Sequence, residues 1–84
     1  MNKGDLKMTN KEMVIDVLKN YSCVTGFQIK GFIYRKFGES IAPQTAAGIL
    51  RPLVAQGLVG KSPDPASGKM AYWLTNFGKE HFNK

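Results

Sequence analysis

Seven consecutive residues near the C-terminal end, Ser62-Pro63-Asp64-Pro65-Ala66-Ser67-Gly68, constrain this chain more than any others. Two prolines in three positions remove N–H groups that a helix or a strand ladder needs, and Asp, Ser and Gly are residues that close tight turns. The block is therefore a turn, and its flanks are two arms of a hairpin. Leu58-Val59-Gly60-Lys61 is the incoming strand and Lys69-Met70-Ala71-Tyr72-Trp73-Leu74 the returning one. Alternation puts Met70, Tyr72 and Leu74 on one face of the second arm, and Ala71 and Trp73 on the other.

Upstream of the hairpin the apolar period is that of helices. Thr9 and Glu12 have capping-box spacing, and Met13, Val14, Val17, Leu18 and Tyr21 then form one apolar stripe, with Lys11, Glu12, Asp16 and Lys19 on the other side. This first helix ends at residues 20–22, and Ser22-Cys23-Val24 is long enough for a short strand. Thr25 and Gln28 repeat the capping box. Ile29, Phe32, Ile33 and Phe37 make the buried stripe of a second helix, Lys30, Arg35 and Lys36 its wet side, and Gly38 its left-handed stop. A third helix spans about residues 43–56, with Pro43 in its first turn and Ser40 or Ala42 as N-cap, Ser40 having the better side chain. Ala46, Ile49, Leu50 and Leu53 point inward; Gln44, Gly48, Arg51 and Ala55 point outward. Pro52 predicts a kink, which Gly48 would ease, and Gly57 ends the helix. After the hairpin, Thr75 caps a short terminal helix bearing Phe77 and Phe82, weakened by Gly78. The expected organisation is a flexible segment over 1–8, one domain over 9–82 and a tail at 83–84.

The inventory of reactive side chains argues against catalysis. His81 is the one histidine, and the acids Asp5, Glu12, Asp16, Glu39, Asp64 and Glu80 are scattered. Only Glu12 and Asp16 share a helix face, at a spacing that solvates helices. No phosphate loop, nucleophile elbow or metal-binding repeat is present. Cys23 has no partner for a disulfide, and with one histidine it cannot assemble an ordinary zinc site; it is expected as a plain small residue in the first strand. The expectations are no enzyme activity, no cofactor, no metal and no small-molecule ligand. No apolar run approaches the length of a membrane span, and residues 1–8 lack a signal-peptide core, so a soluble cytoplasmic protein without a membrane partner is expected.

The order helix, short extended piece, helix, link, helix, hairpin is that of a winged helix-turn-helix domain, an α+β fold with a three-helix core, a β-hairpin wing and here a short terminal helix. Leu-Val-Ala-Gln-Gly-Leu-Val (Leu53 to Val59), running into a strand, resembles the end of the recognition helix in that family. Tyr72, Leu74, Thr75 and Gly78 are similar to the Tyr-x-Leu-Thr-x-x-Gly segment that follows the wing in MarR- and PadR-like regulators. The resemblance covers about residues 9–82. It implies that the second and third helices form the helix-turn-helix and that the third enters the major groove of double-stranded DNA. The outward face of that helix suits the role: Gly48 and Ala55 give low relief between polar Gln44 and Arg51. Gln44 would pair with adenine and Arg51 with guanine, while Thr45 and Ala47 touch a phosphate or a thymine methyl. The family's long dimerisation helices are not evident, a departure from the MarR and PadR pattern that bears on effector sensing and stable dimerisation.

Charge is distributed in the same sense. The chain carries a net +6; residues 1–27 hold four positives and three negatives, and residues 28–84 eight positives and three negatives. Such an imbalance suits a polyanion. Lys30, Arg35 and Lys36 on the second helix, with Lys61 and Lys69 beside the wing, are the phosphate candidates, and five contacts imply a log K versus log salt slope of roughly −4 to −5. Asp64 puts negative charge at the wing tip, so wing contacts are assigned to Lys61, Ser67 or Lys69. Phe27 and Tyr34 share the face of the second helix opposite Ile29 and Ile33, and Trp73 points away from the Tyr72 face. Either Phe77 and Phe82 fold back over Trp73 and Phe27 lies under the first strand, or these aromatics meet a second copy or a protein partner. The leading reading is a small sequence-specific DNA-binding regulator; the alternative is a protein-interaction adaptor, with RNA binding a weaker third.

Overall fold

Three threonine side chains decide where helices begin in the computed structural model, which describes residues 8–83. Thr9 caps α1 (Asn10–Asn20): its hydroxyl accepts from the Glu12 N–H at 3.1 Å, and the Glu12 carboxylate accepts from the Thr9 N–H at 2.8 Å. Thr25 and Gln28 repeat this pair ahead of α2 (Gly26–Phe37), at 3.3 and 2.9 Å. Thr75 accepts from the Gly78 N–H at the start of α4 (Asn76–Phe82). Each cap satisfies N–H groups with no partner inside the helix and contributes about 1 kcal/mol. The third helix, α3 (Pro43–Ala55), differs: its N-cap is Ala42, not Ser40, and no side chain caps it. Ile41, just outside the cap, and Ala46, four positions inside, are both buried, the positions of a hydrophobic staple.

Glycines stop α2 and α3, whereas α1 ends at Tyr21 and α4 at Asn83. Gly38 adopts φ 67° after α2, and Gly57 φ 78° after α3. Behind Gly57 the Leu58 N–H donates to the Leu53 carbonyl and the Gly57 N–H to the Val54 carbonyl, the paired bonds of a Schellman motif, with Leu53 and Leu58 both buried beside it. Pro52 stands inside α3 at an exposed position.

Strands β1 (Val24–Thr25), β2 (Val59–Pro63) and β3 (Met70–Leu74) form one antiparallel sheet in the order β1-β3-β2. β3 is central, pairing Val24 with Tyr72 on one side and Val59 with Leu74 on the other. β2 runs two residues further than expected: Ser62 and Pro63 lie opposite Ala71 and Met70. An edge strand tolerates proline because half of its N–H groups have no ladder to serve. Cys23 is exposed in the bend before β1, not in the strand.

One core joins the helices to the sheet. Met13, Val14, Val17 and Leu18 of α1 meet Ile29 and Ile33 of α2, Ala46, Leu50 and Leu53 of α3, and Val24, Leu58, Val59 and Leu74 from the sheet and its approach. Several expected core residues lie at its margin. Tyr21 is 44% exposed because it falls in the chain just past α1, where it stacks on half-buried Phe32 with ring centroids 3.9 Å apart. Phe37 and Ile49 are partly buried. Ala71 is buried although it alternates with Met70 and Tyr72, since a short side chain on a central strand is screened by its neighbours on both sides. Met8, assigned to the flexible segment, packs partly on the core; residues 1–7 and 84 lie outside the described residues.

The two sequence segments singled out above, 53–59 and 72–78, lock together in space. The Thr75 hydroxyl donates to the Gly57 carbonyl at 2.7 Å while the Thr75 N–H donates to the Leu58 carbonyl at 3.1 Å. Gly78 is buried against that same Leu58 carbonyl, where a Cβ would collide. Gly78 is therefore a requirement of close packing, and its low helix propensity is offset by the approach it permits.

Candidate nucleic-acid interface

The outward face of α3 is bare. Gln44, Thr45, Gly48, Arg51 and Ala55 are exposed and Ala47 is half-buried, because Ala46, Leu50 and Leu53 take the opposite face into the core. No atom outside the helix backbone and its immediate neighbours lies within 4 Å of where a Gly48 Cβ would stand.

The β2–β3 hairpin folds beside this face and makes two shallow hollows with it. One gathers Arg51, Val54 and Ala55 of α3 with Lys61 of β2. The other gathers Pro43 of α3, Phe27 at the start of α2, and Lys69 with Met70 from the returning arm. Ala47 and Tyr72 line both, so the two hollows are consecutive parts of one strip. Arg51 and Lys61 stand at one end and Lys69 at the other, and no salt bridge among the described residues engages any of the three. Tyr72 was not among the expected site residues. Sequence alternation grouped it with Met70 and Leu74, and only its register opposite Lys61 and Val24 shows that it floors the strip.

The hairpin turn is built by Asp64. Its carboxylate accepts from the Ser67 N–H at 3.1 Å and from the Ser67 hydroxyl at 2.8 Å, and that hydroxyl accepts from the Lys69 N–H at 3.2 Å. The Asp64 N–H donates to the Lys69 carbonyl, and Gly68, at φ 74°, donates back to the Asp64 carbonyl, both at 2.7 Å. The acid thus has an architectural role, and Ser67 Oγ is occupied in holding Lys69 at the base of the turn.

Other expected residues fall elsewhere. Lys36 does not stand free: its ammonium lies 2.6 Å from the Asp16 carboxylate of α1. It and Arg35 line a groove with Asp16, Asn20, Tyr21 and Phe32 that shares no residue with the α3 strip. Lys30 is exposed on α2. Phe27 and Tyr34 are 59% and 66% exposed, so Phe27 does not lie under the first strand. Phe77 is 60% exposed and does not cover Trp73, while Phe82 packs partly on the core. Trp73 is half-buried with its indole over Gly60, its cross-strand partner, where an added Cβ would lie 2.5 Å from Cε2.

Helix, strand, helix and helix packed on a hairpin whose returning arm is central to a three-stranded sheet define the architecture. The chain is a winged-helix domain. Solved winged-helix structures superpose on it across most of its length. RosR of H. salinarum is 28% identical with a TM-score of 0.71, and the match covers 89% of this chain and 67% of that one. A winged-helix DNA-binding protein from STIV, 19% identical, has a TM-score of 0.75 and coverages of 92% and 85%. PadR of Bacillus subtilis, determined in complex with operator DNA, is 19% identical with a TM-score of 0.72; 87% of this chain matches 44% of PadR. No protein-family model matches the sequence. No curated protein matches it either. In winged-helix terms β2 and β3 are the wing, α2 and α3 the helix-turn-helix, and the strip is the surface between α3 and the wing. Among the described residues no helix is long and apolar enough to cross a membrane, and no three metal-ligating side chains are gathered.

Proposed function

We propose that this winged helix is a sequence-specific double-stranded DNA-binding module of a transcriptional regulator, acting by binding and not by chemistry. The observation that carries the reading is the strip itself: a low-relief α3 face whose ends hold Arg51 with Lys61 and Lys69. That PadR has been caught on operator DNA with the same fold supports it. α3 lies in the major groove. Gln44 and Arg51 read base edges there, Thr45 and Ala47 touch a phosphate or a thymine methyl, and Gly48 lets the backbone approach. Lys61, Lys69 and Lys30 neutralise phosphates on either side, with the wing on the backbone. Lys36 is paired with Asp16 and Arg35 lines the same separate groove, so of the five candidates three phosphate contacts remain and give a log K versus log salt slope of about −3 per domain.

The test is selection of bound sequences from random duplexes, followed by anisotropy titration at low salt. Enrichment of a motif with salt-dependent binding is the expected result; no binding by the intact domain at low salt rejects the proposal. A second reading, a protein-docking surface for a partner or a second copy, draws on exposed Phe27 and Tyr34. Under it, Tyr34→Ala abolishes capture of the partner, whereas the DNA reading has Tyr34→Ala bind duplex normally.

A further inference from the structure

The exposed aromatic ring at one end of the strip, Phe27, is paired with a cation. Lys69 Nζ lies 4.8 Å from the centroid of Phe27, and the ring, at the start of α2, shares a hollow with Pro43 and Ala47 of α3. Phe27 is an exposed apolar side chain on a face of α2 that the core does not use. From this we infer that Phe27 is a positioning residue for DNA binding: its ring holds the wing lysine Lys69 beside the hollow between the first turns of α2 and α3, with its charge intact, for a backbone phosphate. The inference rests on the DNA-binding reading.

The argument turns on what a ring does that a carboxylate does not. Lys36 is held by Asp16, and the contact cancels its charge. A phosphate arriving there meets the negative charge of the acid as well as the ammonium. Lys69 is held by the quadrupole of a neutral ring, which restricts the long side chain while leaving the full positive charge and its N–H donors to a ligand on the other side. Two further contacts fix the stem. The Lys69 N–H donates to Ser67 Oγ and its carbonyl accepts from the Asp64 N–H, so the backbone from which the side chain departs is fastened to the turn. The nearest acid in the wing, Asp64, spends its carboxylate on Ser67. Lys69 is thereby held at backbone and tip without neutralisation, and the rotamer entropy that a free lysine loses on meeting a phosphate is already largely lost.

The experiment uses a duplex recovered by the selection above and compares Phe27→Leu, Phe27→Trp, Lys69→Ala and the Phe27→Leu/Lys69→Ala double variant. Leucine keeps an apolar side chain and removes the quadrupole; tryptophan keeps and strengthens it. The expected loss for Phe27→Leu is about two- to five-fold in affinity, the range of an exposed cation–π pair, with Phe27→Trp binding at least as well as the parent. In the double variant the Phe27→Leu effect disappears, because there is no longer an ammonium to position. In the free protein, upfield-shifted Lys69 side-chain protons, present in the parent and absent in Phe27→Leu, report the contact without DNA. Parental affinity in Phe27→Leu, or losses that simply multiply in the double variant, overturn the inference while leaving DNA binding intact. Absence of duplex binding by the parent overturns both.

Discussion

At Gly78 and Gly60 the absent side chain is what the structure uses. Gly78→Ala drives a methyl group into the Leu58 carbonyl oxygen, a backbone atom held by Thr75, and neither side has room to yield. The expected loss is about 1–3 kcal/mol or more, as for overpacked cores, read from urea denaturation by circular dichroism. Gly60→Ala meets only the Trp73 indole, a side chain that can swing away, so its cost is smaller and its signature is a shift in tryptophan emission as the ring leaves the strand. Arg51→Ala relaxes base preference at one position of the selected motif, by about 1–3 kcal/mol of discrimination, while Lys69→Ala weakens every duplex alike and flattens the salt slope by about one. Residue identities were legible where chemistry is local, as with Thr9, Thr25, Gly38 and Gly57. They were not legible where a distant atom decides. Propensity makes Gly78 a weak point of α4, and nothing near it in sequence reveals the Leu58 carbonyl it rests on. Lys36 looks like free charge until Asp16 of α1, twenty residues earlier in the chain, comes within 2.6 Å.

Among the elements, α3 holds two residues that helices avoid, Gly48 and Pro52, both exposed. Open space surrounds the Gly48 Cβ position, so Gly48→Ala stabilises the domain by about 0.5–1 kcal/mol. The same methyl group stands on the face that the proposed function sets against base edges, and duplex affinity falls as melting temperature rises. A parallel rise of both, measured by thermal melting and anisotropy on one sample, contradicts groove insertion at this position. The helices were legible as elements because their caps and apolar stripes lie within a few residues of one another. The end of β2 was not. Pro63 excludes a central strand, and only the finished sheet shows that β2 is an edge. The α3 strip was legible on its helix side, through the outward set from Gln44 to Arg51. Its wing side, Tyr72 above all, depended on a strand register that alternation does not supply.

For the molecule as a whole, one continuous core from α1 to the sheet means that no layer is stable apart from the others. Leu50, 1% exposed between the helices and the sheet, is its most central test. Leu50→Ala is expected to cost about 2–5 kcal/mol, comparable to the entire stability of a domain this small. Helical signal, tryptophan emission and DNA binding should then be lost in one coincident transition; separate transitions would show an autonomous helical subdomain. The placement of β3 between β1 and β2 has a consequence for biosynthesis. β1 leads into α2 and β2 leaves α3, yet the strand that joins them is made after both. While a ribosome adds residues, α1, α2 and α3 reach solvent with the Val24 and Val59 edges still unclosed, and the helix pair takes its final orientation only once Leu74 clears the exit tunnel. The nascent chain therefore presents chaperones with an open hydrophobic wedge until β3, and after it α4 with Phe82, have both emerged.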